Sequence, residues 1–284
     1  MTPPAEWICR GRRVRTDGPP LVMGVLNVTP DSFSDGGRYL DPDAAVEHAL
    51  RMAADGAEII DCGAESTRPG AREVPADEQI RRALPVLRSL ARATDALISI
   101  DTRSAVVARE ALGAGAHIVN DVSALRHDPA MAATAAEFEA GVVLMHMRGT
   151  PETMQRETGY TDVAGEVCAH LERRVHAARE AGIAETRIAV DPGIGFGKTA
   201  EQNVTLLRAL PRLVESGRPV LVGASRKSFI GRLLDRPAGE RMAGGLAVAL
   251  HAAARGARII RTHDVRETCD ALRIWATLAR EGKE

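Results

Sequence analysis

The sequence has few aromatic residues, no long apolar run and almost no net charge, and each absence excludes a class of protein. Aromatic side chains make up only 3% of the 284 residues, so a core must be built from Ala, Val, Ile and Leu. A formal net charge of −1 offers no general attraction to nucleic acid or to a membrane surface. No stretch approaches the roughly 20 apolar residues that a membrane span needs. We therefore expect neither nucleic acid nor membrane as a partner.

Metal-binding and disulfide patterns are also missing. The four cysteines lie at positions 9, 62, 168 and 269 and show no C-x-x-C or zinc spacing. The first residues carry two prolines and charges where a signal peptide would need an apolar segment. We therefore expect reduced thiols and a cytoplasmic protein. No linker or low-complexity segment divides the chain, which predicts one domain over residues 1–284.

What the sequence does contain is an alternation of short apolar segments with helical patterns. The predicted strands are 21–26, 57–61, 97–101, 117–120, 142–145, 187–190, 219–222 and 258–261. The main predicted helices are 42–55, 77–92, 104–112, one starting at 128, 162–181, 228–255 with an interruption over 235–245, and a last one ending near 280. Strands that are apolar throughout belong to sheets covered on both faces. Eight such units predict an α/β fold, a single (β/α)8 TIM barrel, preceded by a short hairpin over 7–16. An open doubly wound sheet is the alternative.

The segment 190–199 combines a strand end with a glycine-rich loop. Asp191 ends the apolar run, and glycines follow at 193, 195 and 197. A P-loop would need glycine at position 192, where Pro192 stands, and the dinucleotide fingerprint would need G-x-G-x-x-G rather than G-x-G-x-G. A carboxylate followed by such a loop is typical of a ligand site. A plain strand-to-helix turn remains the alternative for this segment taken alone.

Polar residues recur where the predicted strands end, and in a barrel those ends share the face that holds active sites. They are Asn27, Asp61, Asp101, Asn120–Asp121, Asp191, the loop 225–228 and the segment 261–263. Any single one has a bland explanation as a helix cap or loop contact, and Asp61 could be satisfied by its own loop. His146 has no second histidine at metal spacing, so we expect it to bond within its loop. Met145 and Met147 are expected to pack.

These polar residues divide into acceptors and cations. The acceptors Asp101, Asn120 and Asp191 suit a flat heterocycle with an edge rich in N–H groups, because a carboxylate accepts two parallel N–H bonds. The groups that are cationic or become so on protonation suit an anion such as a diphosphate; they are Arg68, Lys227, Arg261 and His263. The loop 225–228 lies where a helix starts, a favourable place for a carboxylate or phosphate. Asn27 could offer an oxygen to Mg2+, which takes few protein ligands and relies on substrate phosphates.

Eight motifs in order give the chain a resemblance to the dihydropteroate synthase family. They are MGVLNVTPDSFSDGG (23–37), ESTRPG (65–70), SIDT (99–102), VNDVS (119–123), LMHMRGTP (144–151), DPGIGFGK (191–198), GASRKS (223–228) and RTHDV (261–265). Two positions depart from the usual pattern, since Ala64 stands in place of glycine and Thr262 in place of a frequent valine. Neither position supplies a side-chain function in that pattern.

The resemblance implies an enzyme that joins a dihydropterin bearing a CH2-diphosphate to p-aminobenzoate and releases pyrophosphate, with Mg2+ as cofactor. It implies a pterin site at Asp101, Asn120, Asp191 and Lys227. It implies a diphosphate site at Thr67, Arg68, Arg261 and His263, with Gly223 and Thr262 beside it. The catalytic set is Lys227, Arg261, His263 and Asp101, and the Mg2+ ligand is Asn27. The aminobenzoate pocket, where sulfonamides also bind, is Phe33, Pro69, Phe196 and Ser228. The resemblance also implies a homodimer.

Two other functions stay open at this point. A methyltetrahydrofolate–corrinoid methyltransferase would share the pterin site but has no diphosphate to hold, so the cationic residues argue against it. A catalytically silent pterin-binding paralogue would keep the barrel without turnover. The loops 28–37 and 63–74 carry glycines and prolines around these residues. We therefore expect them to close over the mouth and exclude water.

Overall fold

The central feature is a closed barrel of eight parallel strands. A computed structural model describes residues 6–29 and 41–279. The strands are β1 (Glu6–Cys9), β2 (Arg12–Arg15), β3 (Leu21–Asn27), β4 (Ile59–Gly63), β5 (Leu97–Asp101), β6 (Ile118–Asp121), β7 (Gly141–Met145), β8 (Ile188–Asp191), β9 (Leu221–Gly223) and β10 (Ile259–Thr262). The parallel order is β8-β7-β6-β5-β4-β3-β10-β9. A parallel bridge from Val190 to Val220 joins the two ends. The predicted TIM barrel is confirmed, and the open sheet is excluded.

Helices surround this barrel. They are α1 (Pro42–Ala54), α2 (Ala76–Ala93), α3 (Ala105–Gly113), α4 (Met131–Glu137), α5 (Val163–Glu180), α6 (Ala200–Arg208), α7 (Leu210–Val214), α8 (Ser228–Leu234), α9 (Met242–Ala254) and α10 (Val265–Ala279). Local signals set several starts. The Asp41 carboxylate caps α1 before a proline at its first position. Thr199 and Gln202 form a capping box that opens α6.

Several predicted boundaries are shifted by one or two residues, as where the strand predicted over 57–61 is β4 at Ile59–Gly63, and three further ones are wrong for a local reason. The helix expected from 128 begins at Met131, because the Asp128 carboxylate accepts hydrogen bonds from the Ala105 and Ala130 amides instead. Residue 187 belongs to a 3-10 turn before β8 rather than to the strand. The interruption expected over 235–245 is shorter, since α9 already begins at Met242. Packing requires a glycine at position 244 inside that helix, since an added Cβ would stand 2.5 Å from Ile230 Cγ2.

The N-terminal hairpin closes the amino-terminal end of the barrel. Strands β1 and β2 pair antiparallel around Arg10 and Gly11, which both have left-handed backbone with φ of 50° and 78°. The fully buried Trp7 and Cys9 side chains pack on the first residues of the barrel strands. The Trp7 indole donates a 2.9 Å hydrogen bond to the Arg187 carbonyl. The predicted hairpin is confirmed, and it covers the end of the barrel where the strands begin.

The larger core lies between the barrel and the helices. Its buried members are mostly Ala, Val, Ile and Leu, as the scarcity of aromatic residues requires. Met145 and Met147 belong to a separate small buried cluster with Val122 and Met154, so their predicted packing role is confirmed. Within residues 6–29 and 41–279, no helix has both the length and the apolar character needed to cross a bilayer.

Candidate active site

Acidic and amide side chains meet at the carboxyl-terminal mouth of the barrel. Asp61 lies on β4, Asp101 ends β5, Asn120 lies on β6 and Asp191 ends β8. All four are buried, from 0% exposed for Asp61 to 7% for Asp101 and Asp191. Parallel strands bring their carboxyl ends to one edge, so residues from distant segments become neighbours.

Arg261 of β10 ties two of these carboxylates together. Its Nε donates to Asp61 Oδ2 over 2.7 Å, and its Nη2 donates to Asp101 Oδ2 over 3.1 Å. The same Asp61 oxygen accepts a 3.0 Å hydrogen bond from Asn120 Nδ2. Asp61 is therefore held by groups from two other strands. The expectation that its own loop could satisfy it is wrong.

Three buried oxygens at this floor are left without a protein partner. Within the described part of the chain, Asp61 Oδ1, Asp101 Oδ1 and Ser99 Oγ have no hydrogen-bond donor. Burial raises the pKa of Asp101, and the nearby charge of Asp61 raises it further. Buried acceptors without donors are costly, so a site of this kind favours a ligand or water that brings N–H or O–H groups.

A second group surrounds the loop after β8. Asp191 Oδ1 accepts a 2.7 Å hydrogen bond from the Gly193 amide. The Lys227 ammonium donates to the Ile194 carbonyl and lies 4.6 Å from the centre of the Phe196 ring. Burial lowers the pKa of Lys227 to about 8, although the charge of Asp191 opposes that change. The structure thus brings a carboxylate, an ammonium and an aromatic face together.

The rim beside Arg261 collects positive charge. His263 Nδ1 lies 3.1 Å from Ser225 Oγ, and the Arg226 guanidinium pairs with Asp264 over 2.6 Å. Burial lowers the pKa of His263 to about 4, with further lowering from Arg261, Arg226 and Arg68. His263 is therefore neutral at pH 7 without ligand. An anion bound among these cations would raise its pKa and favour the protonated form.

The remaining predicted site residues differ in placement. Thr67 and Pro69 lie on the loop 66–70 with Arg68, and Ser228 is exposed at the start of α8. Gly223 lies against Arg261, whose Cβ is 3.5 Å from the position of an added Cβ. The Thr262 hydroxyl is turned to α10, where it accepts from Thr268 Oγ1 over 3.2 Å. Phe33 and most of the loop 28–37 lie outside the described residues.

Asn27 ends β3 at the same mouth. An added Cβ on Gly63 would lie 3.8 Å from Asn27 Oδ1 and 3.9 Å from Asp101 Oδ2, which places the amide oxygen close to the acidic floor. Among the described residues, no group of three His, Cys, Asp or Glu side chains could hold a metal. A lone amide oxygen fits Mg2+, which keeps several waters and takes further ligands from substrate phosphates.

Sequence reasoning missed two residues of the site. Asp61 was noted only as a strand-end residue, and Lys198 was not assigned any role. His146 Nδ1 lies 3.0 Å from the Lys198 ammonium, so the prediction that His146 bonds within its own loop is wrong. One signal was present, because only three of the 37 basic residues are lysines and two of them lie at this mouth.

A barrel whose mouth joins acceptors for a heterocycle with a cationic rim defines the class of pterin-binding barrel enzymes. The sequence model of the family described as "Pterin binding enzyme" matches residues 23–263. A dihydropteroate synthase of Synechocystis sp. is 48% identical over 260 residues, which is 91% of this chain and 90% of that protein.

Two solved structures agree with that relative. Xanthomonas albilineans dihydropteroate synthase with 4-aminobenzoic acid has a TM-score of 0.91 and 47% identity, and the match covers 99% of this chain and 100% of that one. Yersinia pestis dihydropteroate synthase with a sulfonamide drug has a TM-score of 0.91 and 43% identity, with 96% and 98% covered. The chain belongs to the dihydropteroate synthase family of pterin-binding enzymes.

Proposed function

We propose that this protein is a transferase that condenses (7,8-dihydropterin-6-yl)methyl diphosphate with p-aminobenzoate, giving 7,8-dihydropteroate and pyrophosphate in folate biosynthesis. The observation that carries the proposal is the meeting of Asp101, Asn120 and Asp191 at one mouth, beside Arg261 and Lys227. The relatives described above carry the same activity in their names.

The acidic floor suits the pterin ring. Asp101 and Asp191 are carboxylates that accept hydrogen bonds, and Asn120 has acceptor capacity left after donating to Asp61. A pterin presents ring N–H and amino groups along one edge. The unpaired Asp101 oxygen would then gain the donor that it lacks. This complementarity excludes ligands whose buried edge carries only acceptors.

The cationic rim suits the diphosphate. We assign its binding to Thr67, Arg68, Arg261 and His263, with Lys227 between the two substrates. Asn27 would hold Mg2+ together with the phosphate oxygens. When bound, the ion would neutralise charge on the departing group. Arg261 is already oriented by two carboxylates, so it can meet developing negative charge without reorganising.

The nucleophile is a neutral arylamine, which is weak. The walls of the p-aminobenzoate pocket are assigned to Phe33, Pro69, Phe196 and Ser228, and a sulfonamide would bind in the same pocket. Because no strong base is required, catalysis rests on positioning and on stabilising the leaving diphosphate. Departure of that group leaves positive charge on the CH2 carbon, which the pterin ring delocalises. We therefore expect a dissociative displacement in which C–O cleavage runs ahead of C–N formation.

The direct test is release of pyrophosphate by the purified protein. Release should require both the pterin diphosphate and p-aminobenzoate, and chelation of Mg2+ should suppress it. The variants Lys227→Ala and Asp191→Ala should abolish it. A folded protein that binds the pterin but releases no pyrophosphate would instead be the silent paralogue. Scrambling of oxygen-18 within the diphosphate before the amine is added would support the dissociative path, and its absence would contradict it.

Assembly and location form a separate part of the proposal. We infer a homodimer through α8, α9 and α10, because large apolar side chains on these neighbouring helices are 43–80% exposed to solvent. They are Leu233, Leu234, Met242, Ile274 and Leu278. A monomer by sedimentation at micromolar concentration would contradict this. The four cysteines are free thiols, which supports a cytoplasmic location. We also take the chain to form one domain.

A further inference from the structure

Lys198 has an unusual environment for an ammonium group. Its side chain is buried, and the residue is only 4% exposed. Nζ donates to the Gly193 carbonyl over 2.9 Å and to the Phe196 carbonyl over 2.9 Å. Its third short contact is His146 Nδ1 at 3.0 Å, and the His146 carbonyl oxygen lies farther away at 3.4 Å. Burial lowers the pKa of Lys198 to about 7, although the charge of Asp191 opposes that change. In the protonated form the group has three N–H bonds, and the three short contacts use all of them.

The acceptors come from two different loops. Gly193 and Phe196 belong to the loop after β8, whereas His146 follows β7. Burial and the charge of Lys198 lower the pKa of His146 to about 2, so its ring is neutral and can accept. The two loops are also in direct contact, because an added Cβ on Gly193 would stand 2.0 Å from the His146 carbonyl oxygen. Lys198 therefore joins two loops that already touch.

The loop whose carbonyls bind Lys198 also carries groups that line the candidate site. The Gly193 amide donates to Asp191, and the Ile194 carbonyl accepts from Lys227. The Phe196 ring faces the Lys227 ammonium. Each of these contacts depends on the backbone between 193 and 196, whose carbonyls at both ends are bound by Lys198.

We propose that Lys198 is a positioning residue that fixes this loop so that Phe196 forms its part of the aminobenzoate wall. Lys198 itself does not touch substrate. The role rests on the proposed function, since it names a determinant of the second substrate's site. Its compact ammonium suits a cage of three convergent acceptors, whereas the planar fork of an arginine does not. A lysine at this position stands out, because most basic residues of this chain are arginines.

The effect should differ between the two substrates. Phe196 lies on the held loop itself, so the aminobenzoate site should lose its shape when Lys198 is replaced. The pterin keeps Asp101 and Asn120, which lie on β5 and β6 and are bound by Arg261 and Asp61. It also keeps Asp191, the last residue of β8, and Lys227, which precedes α8, because the backbone of neither belongs to the held loop. A role in stability alone would lower the folded fraction and reduce turnover, without changing the ratio of the two KM values.

The experiment compares Lys198→Met, which keeps the stem and removes every donor, with Lys198→Gln, which keeps two. In Lys198→Met the KM for p-aminobenzoate should rise about tenfold or more, the scale of one lost hydrogen bond of about 1.4 kcal/mol. The KM for the pterin diphosphate should rise less than about threefold. The inhibition constant of a sulfonamide should rise in parallel with the aminobenzoate KM, and Lys198→Gln should fall in between.

Arg10→Met is the matched control. The Arg10 Nη1 also donates to backbone carbonyls, those of Leu112 at 2.5 Å and Ala116 at 3.1 Å, but at the closed end of the barrel. It should leave both KM values unchanged.

Equal rises in both KM values, or no rise in a folded Lys198→Met, would overturn the role of Lys198. If Lys198→Met does not fold, Lys198→Gln decides by the same ratio. Absence of wild-type turnover would reject the proposed function instead.

Discussion

Replacement of Asp61 by asparagine should weaken the orientation of Arg261 at the diphosphate site while the barrel stays folded. The substitution keeps the shape of the side chain and removes the charge that orients Arg261. The amide oxygen can still accept the 2.7 Å hydrogen bond from Arg261 and the 3.0 Å hydrogen bond from Asn120, but neither then ends on a charged group. Hydrogen bonds to charged groups contribute about 1.5–3 kcal/mol and neutral ones about 0.5–1.5 kcal/mol, so the loss is about 1–1.5 kcal/mol. Arg261 keeps its bond to Asp101, so the full cost of breaking a buried pair does not apply. At about 1.4 kcal/mol for each factor of ten, kcat/KM for the pterin diphosphate should fall about 5-fold to about 12-fold.

Pyrophosphate release at varied pterin diphosphate concentration measures this loss. The KM for p-aminobenzoate should stay near the wild-type value, because Asp61 contacts neither Phe196 nor Lys227. Glu58→Gln is the control, since Glu58 precedes the same strand and its carboxylate accepts from the Val22 amide over 2.8 Å at the closed end. It removes one carboxylate charge far from the mouth. A kcat/KM of Asp61→Asn within about twofold of wild type would refute the reasoning.

Three further outcomes are expected. Glu65→Gln should increase the mobility of the loop 66–73, because the Glu65 carboxylate binds both the buried Arg103 guanidinium and the Val74 amide at the end of that loop. The free energy of unfolding should fall by on the order of 3 kcal/mol, and trypsin should cleave after Arg72 faster than in wild type. Asp121→Ala should cost about 3 kcal/mol in urea unfolding, since its carboxylate accepts three hydrogen bonds from Ser123 and Leu125 in a turn with two left-handed non-glycine residues; a loss below about 1 kcal/mol would contradict this. Burial raises the pKa of Asp101, so its carboxylate should be protonated at pH values above the usual aspartate pKa of about 4. Protonation removes a hydrogen-bond acceptor, and kcat/KM for the pterin diphosphate should therefore fall as the pH is lowered from 8 to 5. A flat pH profile would contradict this role of Asp101.

The barrel could be predicted because its signals are local and repeated. Each strand is a short apolar run that ends at a polar residue, and the predicted strand 97–101 agrees with β5 at both ends. The predicted boundaries failed where a side chain competes with the helix, as at Asp128, or where packing decides, as at Gly244. Such competition depends on a partner from elsewhere in the fold, which local spacing does not encode.

The site was only partly accessible to the same reasoning. That polar strand ends converge follows from parallel topology, so the meeting of Asp101 and Asn120 could be expected. Their partners could not, because pairing between Asp61 and Arg261 spans 200 residues and depends on which rotamer each side chain adopts. Lys198 was overlooked for a similar reason, since its acceptors are backbone carbonyls and a histidine from another loop. A sequence pattern reveals neither of these.

The pairing within the mouth has a consequence for how the substrate is held. Three carboxylates, Asp61, Asp101 and Asp191, lie near three basic groups, Lys198, Lys227 and Arg261. Burial raises the pKa of Asp101 and Asp191 and lowers the pKa of Lys198 and Lys227, so both signs of charge are reduced and the buried part of the site carries little net charge before substrate arrives. A diphosphate brings several negative charges into this setting, where low dielectric strengthens every unbalanced interaction. In the function proposed above, the balance would then come from Mg2+, the loop cation Arg68 and a His263 that gains a proton. On that proposal, the hydrogen-bonded floor is formed before the pterin binds, whereas charge compensation for the diphosphate is recruited on binding.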